Sequence, residues 1–371
     1  MNNTDNKTKV SIVMSSYNHE KFIGKCIESV MGQTFQDFEL IIFDDCSTDK
    51  TYEIAKEYQN EKIKIYKSPY NRGMAQNNNE AIKLAKGQYI ANLNSDDFWE
   101  STKLEKQVKF LDENHNYGAV FTDVNLVNEK DKTITSKRFK YFDGISNKNR
   151  FQWLRHWLFN GNCLCFSSVL IRNEVYDKIG SYNNAYIVLL DLDMWTRVCL
   201  AGYEIGVIKE DLTNFRFLKN NQNLGRQRNR DLLNLETRNV YKNYLNIKDK
   251  KDFLKVFPEY NAKKLSNNNI DYCLMDFILV KFFSLKEKVD FKNKAMKKEF
   301  KHILLLKDSF LTDMLFNNLS QNNFNYLNKM FSLDYKKYRQ IMTCTFSGEK
   351  LSQKKNLNFF LKKLNNIRVI T

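Results

Sequence analysis

From Tyr89 to Trp99 the chain reads YIANLNSDDFW. Tyr89, Ile90, Ala91 and Leu93 suit a buried strand, yet the run empties directly into Asn94, Ser95, Asp96 and Asp97. Adjacent carboxylates at a strand tip repel each other and serve no packing purpose, so a positive group is expected beside them. A competing reading makes Ser95 or Asp96 the N-cap of a helix that leads into Lys103.

Outward from this stretch, Val10–Tyr17, Phe38–Phe43 and Ile63–Tyr66 also read as strands, and the segments between them carry helical patterns. The helix expected over Glu20–Met31 sets Phe22, Ile23, Cys26, Ile27 and Val30 on one face. Helices follow at Asp49–Tyr58, capped by Thr48 or Asp49, and at Met74–Ala85, ended by Gly87. Strands alternating with helices predict right-handed crossovers and a mostly parallel α/β sheet flanked by helices. Ligands in such sheets bind beyond the carboxyl ends of the strands. That rule gathers Tyr17-Asn18, Asp44-Asp45, Asn71-Arg72-Gly73 and Asn94 to Asp97 along one edge.

An acidic edge repels phosphate. A phosphate about 4 Å from a carboxylate costs roughly 4 kcal/mol at an effective dielectric near 20. A divalent cation removes the conflict, and Mg²⁺ or Mn²⁺ takes oxygen ligands from one or two carboxylates plus substrate phosphates. Asp96 and Asp97 fit that role, with Asn94 offering a neutral oxygen. Gly73 lets backbone approach a ligand closely.

The stretches VSIVMSSYNHEKFIGKCIESVMGQTFQDFELIIFDDCSTDKT and NRGMAQNNNEAIKLAKGQYIANLNSDDFW resemble the amino-terminal half of family 2 glycosyltransferases with the GT-A fold. Downstream, SSVLIRNEVYDKIGSYN and DLDMWTRVCLAGYEI are similar to that family's second half, so the resemblance spans about residues 8–225. It implies a GT-A-type, Rossmann-like catalytic domain over 1–225 and inverting transfer from a nucleotide-sugar, a UDP-sugar above all, to a hydroxyl of a glycan or lipid-linked glycan. It also implies donor binding by Ser16, Tyr17, Asn18, Asp44, Asp45, Asn71, Gly73, Asn94, Ser95 and Asp96. The same resemblance implies Mn²⁺ or Mg²⁺ on Asp96 with Asp97 beside it, and Asp191 as the general base. Asp193 is the alternative base. Asn94 stands where the family's metal motif usually begins with Asp, Leu190 where an acid usually precedes the base, and Leu218 where many members carry His after the Arg.

The remaining chain, 226–371, reads as a basic helical region for acceptor, membrane or oligomer contacts. Lys251–Thr371 holds 23 basic against 11 acidic side chains, most of the net charge of +16. Within KKNLNFFLKKLNNIRVI, Leu357, Phe360, Leu361, Leu364 and Ile367 share one helical face among lysines, a pattern suited to an anionic membrane surface or to ordinary packing. Val10–Met14 is too short for a secretory h-region, and Ile270–Leu285 is interrupted by Asp271, Asp276 and Lys281. The expectation is a cytoplasmic protein, peripheral on the inner face of the membrane. Seven cysteines without a CxxC pair suit a reducing compartment and exclude a disulfide framework. The charge raises nucleic-acid binding as a rival, but no RRM, KH or zinc-finger pattern supports it. A nucleotidyltransferase with a similar sheet is a closer enzymatic rival, but this sequence shows no basic, glycine-rich phosphate loop, and a catalytically weak or inactive nucleotide-sugar-binding relative is the third alternative.

Overall fold

A parallel half-sheet forms first along the chain. β1 (Val10–Ser16), β2 (Phe38–Asp44), β3 (Ile63–Lys67) and β4 (Tyr89–Asn92) alternate with α1 (Ile23–Met31), α2 (Thr51–Glu57) and α3 (Met74–Leu84). The computed structural model describes residues 8–134, 146–218 and 230–258. Crossover helices leave adjacent strands parallel, and the register pairs Ser16 with Asp44 and Val13 with Asn92. Carboxyl ends of β2, β1 and β4 therefore share one edge, with neighbouring strands about 5 Å apart.

α1 covers one face of this sheet because its apolar side chains recur every three or four residues. Ile23, Cys26, Ile27 and Val30 are buried against Val10, Ile12, Leu40, Tyr89 and Ala91. The helix starts at Ile23, not Glu20, and Phe22 precedes it. Gly87 lies beyond the end of α3 and is required for another reason: a Cβ there would sit 2.4 Å from the Ser11 nitrogen.

The second half breaks the parallel pattern. β5 (Phe98–Trp99), α4 (Lys103–Glu113), β6 (Tyr117–Val127), α5 (Arg150–Asn160), β7 (Leu170–Arg172), α6 (Asn173–Ile179), α7 (Leu190–Leu200) and β8 (Glu204–Arg216) follow. The sheet order is β3-β2-β1-β4-β7-β6-β8-β5. β7 runs antiparallel to both β4 and β6, β6 and β8 are parallel, and β5 is antiparallel to β8. The result is a mixed α/β sheet flanked by helices. The strand expected at Ser167–Ile171 is instead a 3₁₀ turn, Phe166–Ser168, followed by the shorter β7. The strand expected at Glu204–Ile208 continues to Arg216.

α8 (Arg230–Lys242) and a 3₁₀ turn, Asn243–Asn246, pack on α5: the Tyr241 and Tyr244 hydroxyls donate to the Leu158 and Leu154 carbonyls. One compact unit runs through Asn246 and includes Lys255–Pro258. The tail segments beyond residue 258, including the basic amphipathic stretch, lie outside the described residues. Among the described residues no helix is long and apolar enough to cross a membrane.

Candidate active site

The ends of β1 and β2 are tied into one polar knot. Asp44 is fully buried and accepts from the Ser16 hydroxyl (3.3 Å), the Ser47 hydroxyl (2.5 Å) and the Ser47 main-chain nitrogen (2.9 Å). Asn18, in the left-handed region at φ 53°, donates its N–H to the Ser47 hydroxyl and accepts from the Thr48 N–H. Asp45 reaches the other way. Its two oxygens accept from Arg72 N (2.8 Å) and Gly73 N (3.0 Å), which folds Asn71–Gly73 over the β2 end. Gly73 has φ 89°, a backbone region that favours glycine. Tyr17 is half-buried and Asn71 exposed at this rim.

The stretch that opened the sequence reading is a strand, a turn and a second strand. Helix α4 begins only at Lys103, after Thr102, so neither Ser95 nor Asp96 caps it. The expected positive group is Arg216, at the far end of β8. Its guanidinium is buried and donates through Nε to the Asp96 carbonyl (2.7 Å) and through Nη1 to the Asn128 carbonyl (3.2 Å). It also pairs with Asp131 and lies over the rings of Phe22 and Phe98.

The two acids of this turn differ. Asp97 points inward: Oδ1 accepts from Arg216 N (2.8 Å), and Oδ2 accepts from the Ser167 hydroxyl (2.5 Å) and Asn94 Nδ2 (3.3 Å). Burial pushes the Asp97 carboxyl up, and the charge of Asp96 adds to that rise. Asp96 is also raised by burial, while its own main-chain N–H and Arg216 pull the other way. Ser95, beside them, meets His19 Nδ1 at 2.8 Å. Burial lowers the His19 pKa, with Asp97 and Asp49 opposing.

Asp191 sits in the first turn of α7, half-buried. Its Oδ1 accepts from the Leu192 N–H (2.7 Å) and its Oδ2 from Asn162 Nδ2 (2.6 Å). Asp193 is buried and held by Arg197 Nε and Asn243 Nδ2, each at 2.8 Å. Trp195 is wholly buried edge-on against Phe121, so it belongs to the core.

One short loop couples Asp191 to the acidic turn. Asn162 holds Asp191 and Ser167 holds Asp97, and five residues span at most about 18 Å. Buried Cys165, between them, has its thiol pushed up by burial, with both Asp97 and Asp191 contributing. The edge therefore joins Ser16, Asn18, Asp44, Asp45 and Gly73 by hydrogen bonds, and Asn94, Ser95, Asp96 and Asp97 at the neighbouring strand end. Sequence reading missed His19, Asn162, Ser167 and Arg216. Arg216 alone had a local signal, its place in the Arg216-Phe217-Leu218 segment.

Residues 11–180 match the family model described as Glycosyl transferase family 2. An uncharacterized glycosyltransferase of Methanocaldococcus jannaschii is 30% identical over 68% of this chain and 86% of its own length. The putative teichuronic acid biosynthesis glycosyltransferase TuaG of Bacillus subtilis is 41% identical over 58% of this chain and 82% of its own. WfaP of Escherichia coli, a UDP-Glc:alpha-D-GlcNAc-diphosphoundecaprenol beta-1,3-glucosyltransferase, is 40% identical over 34% of this chain and 49% of its own. The structure of S. aureus TarS 1-349 superposes with a TM-score of 0.54 at 18% identity, covering 97% of this chain and 91% of that one, a likeness of fold. The chain belongs to the family 2 glycosyltransferases and is a glycosyltransferase of the GT-A fold.

Proposed function

We propose that this enzyme transfers a sugar, with inversion, from a UDP-sugar to a hydroxyl of a glycan or lipid-linked glycan, with Asp191 as general base. The observation that carries this reading is the loop from Asn162 to Ser167, which ties Asp191 to the acidic turn at the strand edge. The names of relatives support a UDP-sugar donor. WfaP is named for UDP-glucose and a diphosphoundecaprenol acceptor, and TarS has been crystallised with UDP and with UDP-GlcNAc.

In this reading the knot formed by Ser16, Asn18, Asp44 and Asp45 receives the nucleoside, together with Tyr17, Asn71 and Gly73. The diphosphate lies beside Asn94, Ser95 and Asp96. Among the described residues no group of three or more His, Cys, Asp and Glu forms a metal cage. The donor set fits a hard cation that keeps water and takes other oxygens from substrate phosphates, as Mg²⁺ or Mn²⁺ does. Asp96 is the carboxylate that would hold it; Asp97, with both oxygens engaged internally, supports the turn. Such a cation, when bound, neutralises charge on the departing diphosphate.

An alcohol is a poor nucleophile near neutral pH. A carboxylate within hydrogen-bond reach takes its proton as the new bond forms, a contribution of about 10²–10⁴-fold. Asn162 orients the Asp191 carboxylate for that task by fixing one oxygen. The expected result for Asp191→Asn is UDP release lowered by at least about a hundredfold with UDP affinity kept, read by a coupled UDP-release assay and calorimetry. Turnover of that variant near the wild-type rate rejects Asp191 as the base.

A further inference from the structure

We propose that Glu236 is a positioning residue for the transfer reaction, the brace that fixes the segment carrying Asp191. The proposal rests on the reading of Asp191 as base. Glu236 lies on α8, in the region whose sequence pattern suggested only a helical tail, and is 2% exposed. Its Oε1 accepts from Ile187 N (2.8 Å), and its Oε2 from Val188 N (2.9 Å) and Leu189 N (2.7 Å). Three consecutive main-chain N–H groups thus converge on one buried carboxylate, an anion-binding nest filled by the chain's own side chain.

Side-chain packing holds this segment only at Tyr186 and Leu189, which are buried on either side of Ile187 and Val188. Asn183, Asn184 and Ala185 are exposed, and Ile187 is 73% exposed. The main-chain bonds to Glu236 fix the backbone between those two anchors, and Leu189 immediately precedes α7. A negative charge here also suits the positive end of the α7 dipole. Asn243, seven residues on, grips Asp193 in the same first turn of α7, so Asp191 is flanked by two holds from one element and the turn that follows it. Unpairing a charge-assisted bond of this kind leaves buried N–H groups without acceptors, and a misplacement of about 1 Å in the base costs on the order of 10²-fold in rate.

The test uses the full chain and the variants E236A, E236Q, E236D and D191N. UDP release from UDP-glucose and UDP-N-acetylglucosamine gives kcat and donor KM, calorimetry gives UDP affinity, and amide hydrogen exchange reports on 187–189. E236A is expected to lower kcat about 10- to 100-fold with donor KM and UDP affinity within about twofold of wild type. Exchange at 187–189 is expected to accelerate while β1, β2 and β4 stay protected. E236Q and E236D, which keep part of the acceptor, should fall between; if E236A fails to fold, E236Q carries the test. Unchanged exchange at 187–189 overturns the proposal, as does faster exchange with full kcat while D191N is inactive. D191N at the wild-type rate removes the reading of the base and the positioning claim that rests on it, whereas faster exchange in E236A would still establish the brace.

Discussion

Arg216→Met tests how the acidic turn is held. The wild-type guanidinium is 2% exposed and supplies the donors for the carbonyls of Asp96 (2.7 Å) and Asn128 (3.2 Å). The Asp96 carbonyl, left without this donor, costs about 1–3 kcal/mol, whereas the Asn128 carbonyl keeps the Asp131 N–H at 3.0 Å. The guanidinium centre lies 4.6 Å from the Phe22 ring centroid, a contact worth about 1–2 kcal/mol when desolvated. Asp131 is 36% exposed, so its ion pair adds less than about 1 kcal/mol. Methionine recovers part of this by packing its apolar stem where a charge had been buried. The net expectation is a loss of about 3 kcal/mol, or roughly 6–12 °C in Tm for a unit of this size. The Arg216 main-chain bond to Asp97 survives any side-chain change, so the turn should loosen and not detach. Differential scanning fluorimetry of the full chain reads the shift, and R216K, which restores one donor, should lie between. A shift below about 2 °C for R216M would show that the guanidinium is not what holds the turn.

Other perturbations test the buried charges. Asp96→Asn should stabilise the ligand-free protein near neutral pH by about 2 kcal/mol, since it removes a desolvated carboxylate. The folded-state pKa of Asp96 is raised, so the folded state binds more protons and wild-type stability falls as pH rises from about 4. The advantage of D96N should therefore vanish near pH 4 in denaturant melts; an equal advantage at every pH contradicts the burial argument. Lys103 is wholly buried with Nζ on Gln107 Oε1 (2.7 Å) and 3.8 Å from the Trp99 ring centroid, and burial pushes its pKa well down. There the unfolded chain binds the extra proton, so wild-type stability rises with pH up to about 10.4. Lys103→Met should be the more stable form at pH 7 by about 1 kcal/mol, with the gap closing by pH 10; parallel stability curves refute it.

The parallel half-sheet is legible in the sequence because each strand and helix there declares its own period and the crossovers force neighbouring strands to align. Tyr17, Asn18, Asp44, Asp45, Gly73 and Asp96 could be placed on one edge by that logic alone. The antiparallel insertion is not legible, since β7 has only three residues and gains its place from partners on β4 and β6. The supports of the site are invisible for a related reason. Ser167 and Arg216 meet Asp97 across 70 and 119 residues, and Glu236 meets Leu189 across 47, separations that leave no local pattern. His19 shows the limit for single residues. A lone His after β1 signals nothing until the fold brings Ser95 to within 2.8 Å of it.

Titration calorimetry of UDP into the wild-type protein and D96N, each with and without Mn²⁺, tests the claim that an Asp96-bound cation links this edge to the donor diphosphate. The account predicts that Mn²⁺ tightens UDP binding at least about tenfold in the wild type, about 1.4 kcal/mol, and has no effect in D96N. Equal UDP affinity in all four titrations would contradict it.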